Sequence, residues 1–108
     1  MNILFVCSRN KWRSRTAETI FKSSHNLNVK SAGTSQNARI KLTENLLIWA
    51  DLIFVMEEKH QQIIEKNFPQ ATFSEKIIVL DIADDYQYMD EDLVFILKLS
   101  VLNVLENI

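Results

Sequence analysis

The chain has very little of the residues that restrain or interrupt a fold: its 108 residues include one cysteine, one glycine and one proline. A single cysteine excludes an internal disulfide, so Cys7 is expected to be either a small buried apolar residue or a reactive thiol. No apolar run approaches the ~18 residues that a membrane-spanning helix requires. The N-terminal apolar stretch, residues 3 to 7, is too short for a signal peptide and has basic residues only after it. We therefore expect a cytoplasmic location, where Cys7 stays a free thiol.

Positive charge is scarce overall and concentrated in one place. The formal net charge of −2 argues against general binding to nucleic acid or to a membrane surface, which normally requires a positive excess. Arg9, Lys11, Arg13 and Arg15 nevertheless lie within seven residues, whereas residues 81 to 92 contain six acidic side chains and no basic one. A basic loop and an acidic segment in one small domain predict electrostatic pairing across a site.

The hydrophobic pattern predicts a single α/β domain over residues 1–108. Continuous apolar runs typical of buried strands alternate with amphipathic stretches typical of helices. The predicted strands are 3–6, 27–32, 52–56 and 77–80, and the predicted helices are 14–24, 43–49, 57–68 and 90–105. Strict alternation of four strands and four helices predicts three layers, with a parallel sheet between two helical layers. A monomer is the favoured oligomeric state.

The residues with chemical potential are predicted to lie at one edge of this sheet. In parallel α/β sheets, ligands bind at the carboxyl ends of the strands. Here those ends are Cys7, Gly33, Met56 and the segment 81–85, and Gly33 supplies the one unrestricted backbone position. The loop after Cys7 leads into a helix, so its backbone N–H groups can point inward at an anion. Phosphate is the anion that this arrangement best fits.

Several short motifs, in this order and spacing, resemble the low-molecular-weight protein tyrosine phosphatase family and its arsenate reductase relatives. They are Val6-Cys7, Asn10, Arg13-Ser14, Ala17-Glu18, Ser31-Ala32-Gly33-Thr34, Ala38-Arg39, and Asp84 with Tyr86. The resemblance covers most of the chain, and Cys-x5-Arg-Ser at the end of the first strand is its most specific part. It implies a flavodoxin-like, phosphotyrosine phosphatase I-like sheet with strand order 2-1-3-4.

The resemblance also implies roles for the residues of the loop. Cys7 is the expected nucleophile, since guanidinium groups and a helix N-terminus favour the thiolate form of cysteine. Arg13 is expected to hold two phosphoryl oxygens in a bidentate fork, which lysine cannot reproduce. The N–H groups from Ser8 to Arg13 take up the remaining charge, and the Ser14 hydroxyl hydrogen-bonds the sulfur. No metal or other cofactor is needed.

The leaving group needs a proton, because a tyrosine hydroxyl has a pKa of ~10 and leaves slowly as an anion at pH 7. In the family the acid is an aspartate in an Asp-Pro pair that is followed by an aromatic residue. Asp84, followed by Asp85 and Tyr86, is the nearest match and the expected general acid and base. Asp85 and then Asp81 are the alternatives.

Other loop residues are expected to shape the mouth of the site. Arg9 and Lys11 add positive potential there, and Trp12 and Tyr86 are candidate walls for an aromatic substrate. Arg9 stands where the family commonly has glycine, and a side chain at positive φ costs about 1 kcal/mol or more. Either the loop differs slightly or that strain is tolerated. Asn10 accepts a left-handed conformation more easily, and its amide can brace the loop from inside.

The two histidines show no metal-ligand spacing, so a metal site is not expected. His25 is predicted to lie in a turn and His60 on an exposed helix.

These observations predict a phosphatase that hydrolyses phosphotyrosine or a similar aryl phosphomonoester through a phosphocysteine intermediate. Its partners would be a phosphorylated protein or a small aryl phosphate, with no nucleic acid and no membrane. A non-catalytic module that binds a phosphorylated or anionic partner through the same loop is the main alternative. An arsenate reductase is a weaker one, because without further cysteines it would need an external thiol.

Overall fold

A computed structural model of residues 1–108 shows four parallel strands between two layers of helices. The strands are β1 (Asn2–Cys7), β2 (Asn28–Gly33), β3 (Leu52–Val55) and β4 (Ile77–Val79). Their order across the sheet is β2-β1-β3-β4, which confirms the predicted order 2-1-3-4. In this register Cys7 lies opposite Gly33 at the carboxyl edge of the sheet.

Five helices connect and cover the strands, one more than the alternation predicts. They are α1 (Arg13–Phe21), α2 (Glu44–Trp49), α3 (Glu58–Asn67), α4 (Ala71–Ser74) and α5 (Glu91–Glu106). The prediction of four helices is wrong because α4 is a single turn after Pro69, too short to show a helical period. The prediction that the first helix runs to residue 24 is also wrong, since residues 22–26 form turns and bends.

The alternation of side chains along β1 divides the core in two. Ile3, Phe5 and Cys7 face one side of the sheet, where α1 and α5 pack, and Leu4 and Val6 face the other. Helices α2, α3 and α4 cover that second side through Leu47, Ile64 and Phe73. Since successive strand residues point to opposite faces, one fully buried strand supplies both cores.

The longest helix, α5, has 16 residues. No helix of the chain combines the length and the apolar character needed to cross a membrane.

Candidate active site

The loop between β1 and α1 is held from outside by its carbonyl groups. The carbonyl oxygens of Cys7, Ser8 and Arg9 accept hydrogen bonds from the backbone N–H groups of residues 34, 35 and 39, at 3.0, 2.8 and 2.9 Å. Arg39 Nε donates to the Asn10 carbonyl at 3.0 Å. In a planar trans peptide the N–H points opposite to the C=O, so these bonds turn the following N–H groups inward. The loop therefore presents its backbone donors to the space above Cys7, as an anion site requires.

Asn10 adopts the left-handed conformation, with φ 58°, and Arg9 does not have a positive φ. The loop thus carries no backbone strain at Arg9, and the residue that takes the unusual conformation is one that tolerates it. The Asn10 side chain is fully buried and donates from Nδ2 to Ser14 Oγ at 2.7 Å and to Ser31 Oγ at 2.8 Å. Ser31 in turn donates to Glu18. The amide braces the loop from below.

The Cys7 sulfur has two hydrogen-bond partners inside the protein. Ser14 Oγ lies 2.9 Å from Sγ, and the backbone N–H of Asn10 donates to Sγ at 3.3 Å. Because Ser14 Oγ already accepts from Asn10 Nδ2, its own proton goes either to the sulfur at 2.9 Å or to the Ala32 carbonyl at 3.4 Å. A thiolate can only accept, and as a charged, nearer group it is the stronger acceptor of the two. The arrangement stabilises negative charge on the sulfur.

Arg13 is almost completely buried, and acidic and carbonyl groups fix its guanidinium. Its Nη1 donates to Glu57 Oε1 at 2.5 Å and to the Ile82 carbonyl at 2.8 Å. Its Nε lies 3.5 Å from Asp84 Oδ1. The hydrogen bond from Arg13 lowers the pKa of Glu57 below its usual value, although partial burial of the carboxyl group opposes this. Arg13 is thus oriented before any ligand binds.

A cavity of about 420 Å³ lies above the sulfur. Its lining residues are Cys7, Ser8, Arg9, Lys11, Trp12, Arg13 and Asp84. Asn10 and Ser14, expected to brace the loop and to contact the sulfur, are fully buried beneath the cavity and act on its lining. Tyr86 does not line the cavity and packs against the core on the α1 and α5 side. Of the three candidate acids only Asp84 reaches the cavity, whereas Asp81 and Asp85 are exposed elsewhere.

Gly33 allows the loop to approach β2, and conformational freedom is not its role. Its φ is negative, as is usual in a strand, so the expected unrestricted position is not used. A Cβ at residue 33 would lie 2.5 Å from the Ser8 carbonyl oxygen and 2.6 Å from Ala38 Cβ. Only glycine permits this distance between the loop and the strand.

Two functional positions on α3 and its N-terminus were not predicted from the sequence. Glu57, the partner of Arg13, reads as the start of a charged helix but caps it instead. The prediction that His60 is exposed is wrong: the side chain is fully buried and contacts Ser8. Glu57 follows the predicted third strand, and His60 comes three residues later, which is the spacing of a capping box. That spacing was the sequence signal from which the cap and the burial of His60 could have been predicted. No group of three His, Cys, Asp or Glu side chains is arranged to hold a metal ion.

A thiol, a buried arginine and inward N–H groups at the carboxyl edge of this sheet define the class of cysteine-dependent phosphatases with a phosphate-binding loop. A family model described as low molecular weight phosphotyrosine protein phosphatase matches residues 2–48. A curated relative, the protein-arginine-phosphatase of Bacillus subtilis strain 168, is 34% identical over 107 residues, covering 74% of this chain and 70% of the relative. The chain belongs to the low-molecular-weight phosphotyrosine protein phosphatase family.

Solved structures of both substrate classes are similar to this chain. A YwlE mutant from Bacillus subtilis has TM-score 0.75 and 27% identity, over 98% of this chain and 99% of that one. A low molecular weight protein tyrosine phosphatase from the same species, solved in solution, has TM-score 0.75 and 26% identity over 99% and 98%. A structure described as YwlE arginine phosphatase, a serine mutant with a phosphorylated active-site serine, has TM-score 0.77 and 26% identity over 98% and 96%.

Proposed function

We propose that the protein hydrolyses phosphotyrosine, or a similar aryl phosphomonoester, through a phosphocysteine intermediate. One observation carries the proposal: the Cys7 sulfur, with two hydrogen-bond donors beneath it, opens into a cavity that Arg13 also lines. A nucleophile and a fixed guanidinium in one cavity are what transfer of a phosphoryl group to sulfur requires.

In the first step the Cys7 thiolate attacks phosphorus and the bond to the leaving oxygen breaks. Arg13 and the loop N–H groups hold the phosphoryl oxygens, and Asp84 donates the proton that the leaving oxygen takes up. Its position on the cavity wall, 3.5 Å from Arg13 Nε, supports Asp84 over Asp81 and Asp85 in this role.

In the second step water attacks the phosphocysteine, Asp84 accepts a proton from it, and the sulfur leaves as a thiolate. The hydroxyl of Ser14 and the N–H of Asn10 stabilise that thiolate, which makes it a better leaving group. The phosphorylated active-site serine described for a YwlE arginine phosphatase supports a covalent phosphoenzyme in such a site.

The rim of the cavity favours an aryl phosphate over phosphoarginine. Arg9 and Lys11 are exposed at the rim, and a phosphotyrosine side chain brings only negative charge toward them. Phosphoarginine also carries a guanidinium, which like charges at the rim repel. The exposed Trp12 ring can stack on a phenol ring, although it can also bind a guanidinium. Phosphoarginine is the second candidate, because the curated Bacillus subtilis relative is a protein-arginine-phosphatase.

The alternatives to hydrolysis use the same loop. A phosphate-dependent binding module would need Arg13 and the N–H groups, but it would not need a carboxylate in the cavity. An arsenate reductase would need an external thiol, since Cys7 is the sole cysteine.

Turnover of para-nitrophenyl phosphate tests the proposal directly. The wild type should hydrolyse it with inorganic phosphate as a competitive inhibitor, and Cys7→Ser should remove turnover while the folded variant still binds phosphate. Arg13→Lys should weaken phosphate binding, whereas Arg15→Lys, an exposed arginine on the same helix, is the matched control. Full activity of Cys7→Ser would refute the nucleophile, and phosphate binding without any wild-type turnover would favour the binding module.

Peptides of one sequence that carry phosphotyrosine or phosphoarginine at the same position decide the substrate class. We expect the higher kcat/KM with phosphotyrosine. Lys11→Glu should reduce that preference, because it removes the repulsion at the rim. A higher kcat/KM with phosphoarginine in the wild type would overturn the assignment while leaving the phosphocysteine chemistry in place.

A further inference from the structure

His60 is a fully buried titratable residue that the proposed reaction does not use. Its Nδ1 accepts a hydrogen bond from the backbone N–H of Glu57 at 3.0 Å, and its Nε2 lies 2.9 Å from Ser8 Oγ. A nitrogen that accepts from an N–H carries no proton itself. In the neutral ring the single proton is therefore on Nε2, and it points at the Ser8 oxygen.

The ring is neutral at physiological pH. Burial and, to a lesser extent, the nearby charge of Arg13 lower the pKa of His60 to about 4. Lys59 acts in the same direction, whereas Glu57 and Asp84 act against it. The hydrogen-bond directions above therefore hold over the pH range in which the enzyme would operate.

The direction of this hydrogen bond determines what the Ser8 hydroxyl can do. Ser8 Oγ accepts from His60 and makes no other hydrogen bond within the protein. Its own proton therefore has no partner in the protein. Ser8 is half-buried and lines the cavity next to Cys7, so that proton is available to a ligand there.

We propose that His60 is a positioning residue that makes the Ser8 hydroxyl a hydrogen-bond donor to an oxygen of the phosphoryl group bound above Cys7. The loop then offers a side-chain donor in addition to its N–H groups and Arg13. This inference rests on the proposed function, because it assumes that the cavity takes a phosphoryl group. It goes beyond the backbone role expected of Ser8, and it gives the buried imidazole a purpose other than capping α3.

Two substitutions of His60 separate the donor from the cap. In His60→Asn the amide oxygen can take the place of Nδ1 and accept from the Glu57 N–H, but the side chain is too short to reach Ser8. In His60→Gln the amide nitrogen takes the place of Nε2 and can donate to Ser8. If His60 had only a structural role, phosphate binding would not be weaker in His60→Asn than in His60→Gln. The two variants together therefore test the hydrogen bond to Ser8.

Binding of inorganic phosphate, measured by calorimetry with no substrate turned over, is the readout. A hydrogen bond to a charged group is worth enough that Ser8→Ala and His60→Asn should each weaken binding about tenfold. The double variant should be no weaker than Ser8→Ala alone, because His60 acts only through Ser8. His60→Gln should bind nearly as the wild type does, and thermal unfolding checks that every variant is folded.

Three results would overturn the inference: unchanged phosphate affinity in folded His60→Asn, losses that add up in the double variant, or no phosphate binding by the wild type. Failure of the proposed function looks different. In that case the wild type and its variants would show the expected pattern of phosphate affinities, but none would hydrolyse para-nitrophenyl phosphate.

Discussion

Lowering the pH from 7.5 to 5.5 should destabilise the protein through His60. Its pKa is about 4 in the folded protein and 6.5 for the ordinary side chain, so the unfolded chain binds a proton that the folded protein excludes. A group with a depressed folded pKa contributes stability that is present above the unfolded pKa and lost as the pH falls. The difference of about 2.5 between the two pKa values limits the total loss to roughly 3 kcal/mol.

A measurable part of this loss lies above the pH range in which carboxylates titrate. Between pH 7.5 and 5.5 the two pKa values give a loss of about 1.3 kcal/mol in the free energy of unfolding. Urea unfolding at both pH values measures it. His60→Gln removes the titrating group and should remove this part of the pH dependence, even though its own stability is lower. His25→Gln, which replaces the exposed histidine in a turn, is the matched control and should keep the wild-type difference.

The comparison between pH values is what tests the reasoning, since either substitution can change stability by itself. An equal loss between pH 7.5 and 5.5 in the wild type and in His60→Gln would refute it. That result would mean that His60 takes up its proton in the folded protein at an ordinary pH. The neutral ring, and with it the fixed direction of the bond to Ser8, would then be wrong.

Three further predictions concern the loop and its supports. Asp84→Asn should slow hydrolysis of phenyl phosphate about 10²-fold and should slow hydrolysis of a substrate with a better leaving group much less. Asp85→Asn, the control, should slow neither reaction. Equal slowing of both substrates by Asp84→Asn would remove Asp84 from the acid role. Gly33→Ala should lower the free energy of unfolding, measured in urea, by about 1–3 kcal/mol and should weaken phosphate binding, because the added Cβ displaces the loop. Unchanged stability and unchanged phosphate binding would contradict the close approach of the loop to β2. Glu57→Gln should lower the melting temperature, because it leaves the buried Arg13 with only the more distant and more exposed Asp84 as an anion. Saturating phosphate should then stabilise the variant more than the wild type, and equal stabilisation of the two would argue against this role of Glu57.

The sheet could be predicted from the sequence because β1, β3 and β4 consist mainly of continuous apolar runs, whereas the edge strand β2 contains Asn28 and Lys30. Ile53 to Met56 is completely buried, as a strand covered on both faces should be. The predicted start of a helix at residue 43 also has a local cause, because the Thr43 hydroxyl oxygen caps α2 by accepting from the Leu46 N–H at 3.3 Å. Helix α4 could not be predicted, since one turn of helix has no period to detect. Local patterns that repeat are visible in a sequence, and single turns are not.

The parts of the site that were missed depend on how α3 docks against the loop. Glu57 and His60 read as an exposed helix start, because their partners, Arg13 and Ser8, are 44 and 52 residues away in sequence. No local period can reveal such a pairing. The sequence indicates Gly33 for its conformational freedom, but its role comes from the short distance between the loop and β2, which composition does not encode.

Ser8 in the loop and Ser14 at the start of α1 are under the same hydrogen-bonding constraint, with different consequences. Each hydroxyl oxygen accepts from a buried neutral donor, Asn10 Nδ2 for Ser14 and His60 Nε2 for Ser8, so each proton has to go elsewhere. The Ser14 proton can go to the Cys7 sulfur, which lies nearer than its other acceptor, the Ala32 carbonyl, and the Ser8 proton is left to the ligand. Loss of the Ser14 hydroxyl should therefore slow release of phosphate from the phosphocysteine, where the thiolate leaves. Loss of the Ser8 hydroxyl should instead weaken binding of the phosphoryl group before any bond breaks.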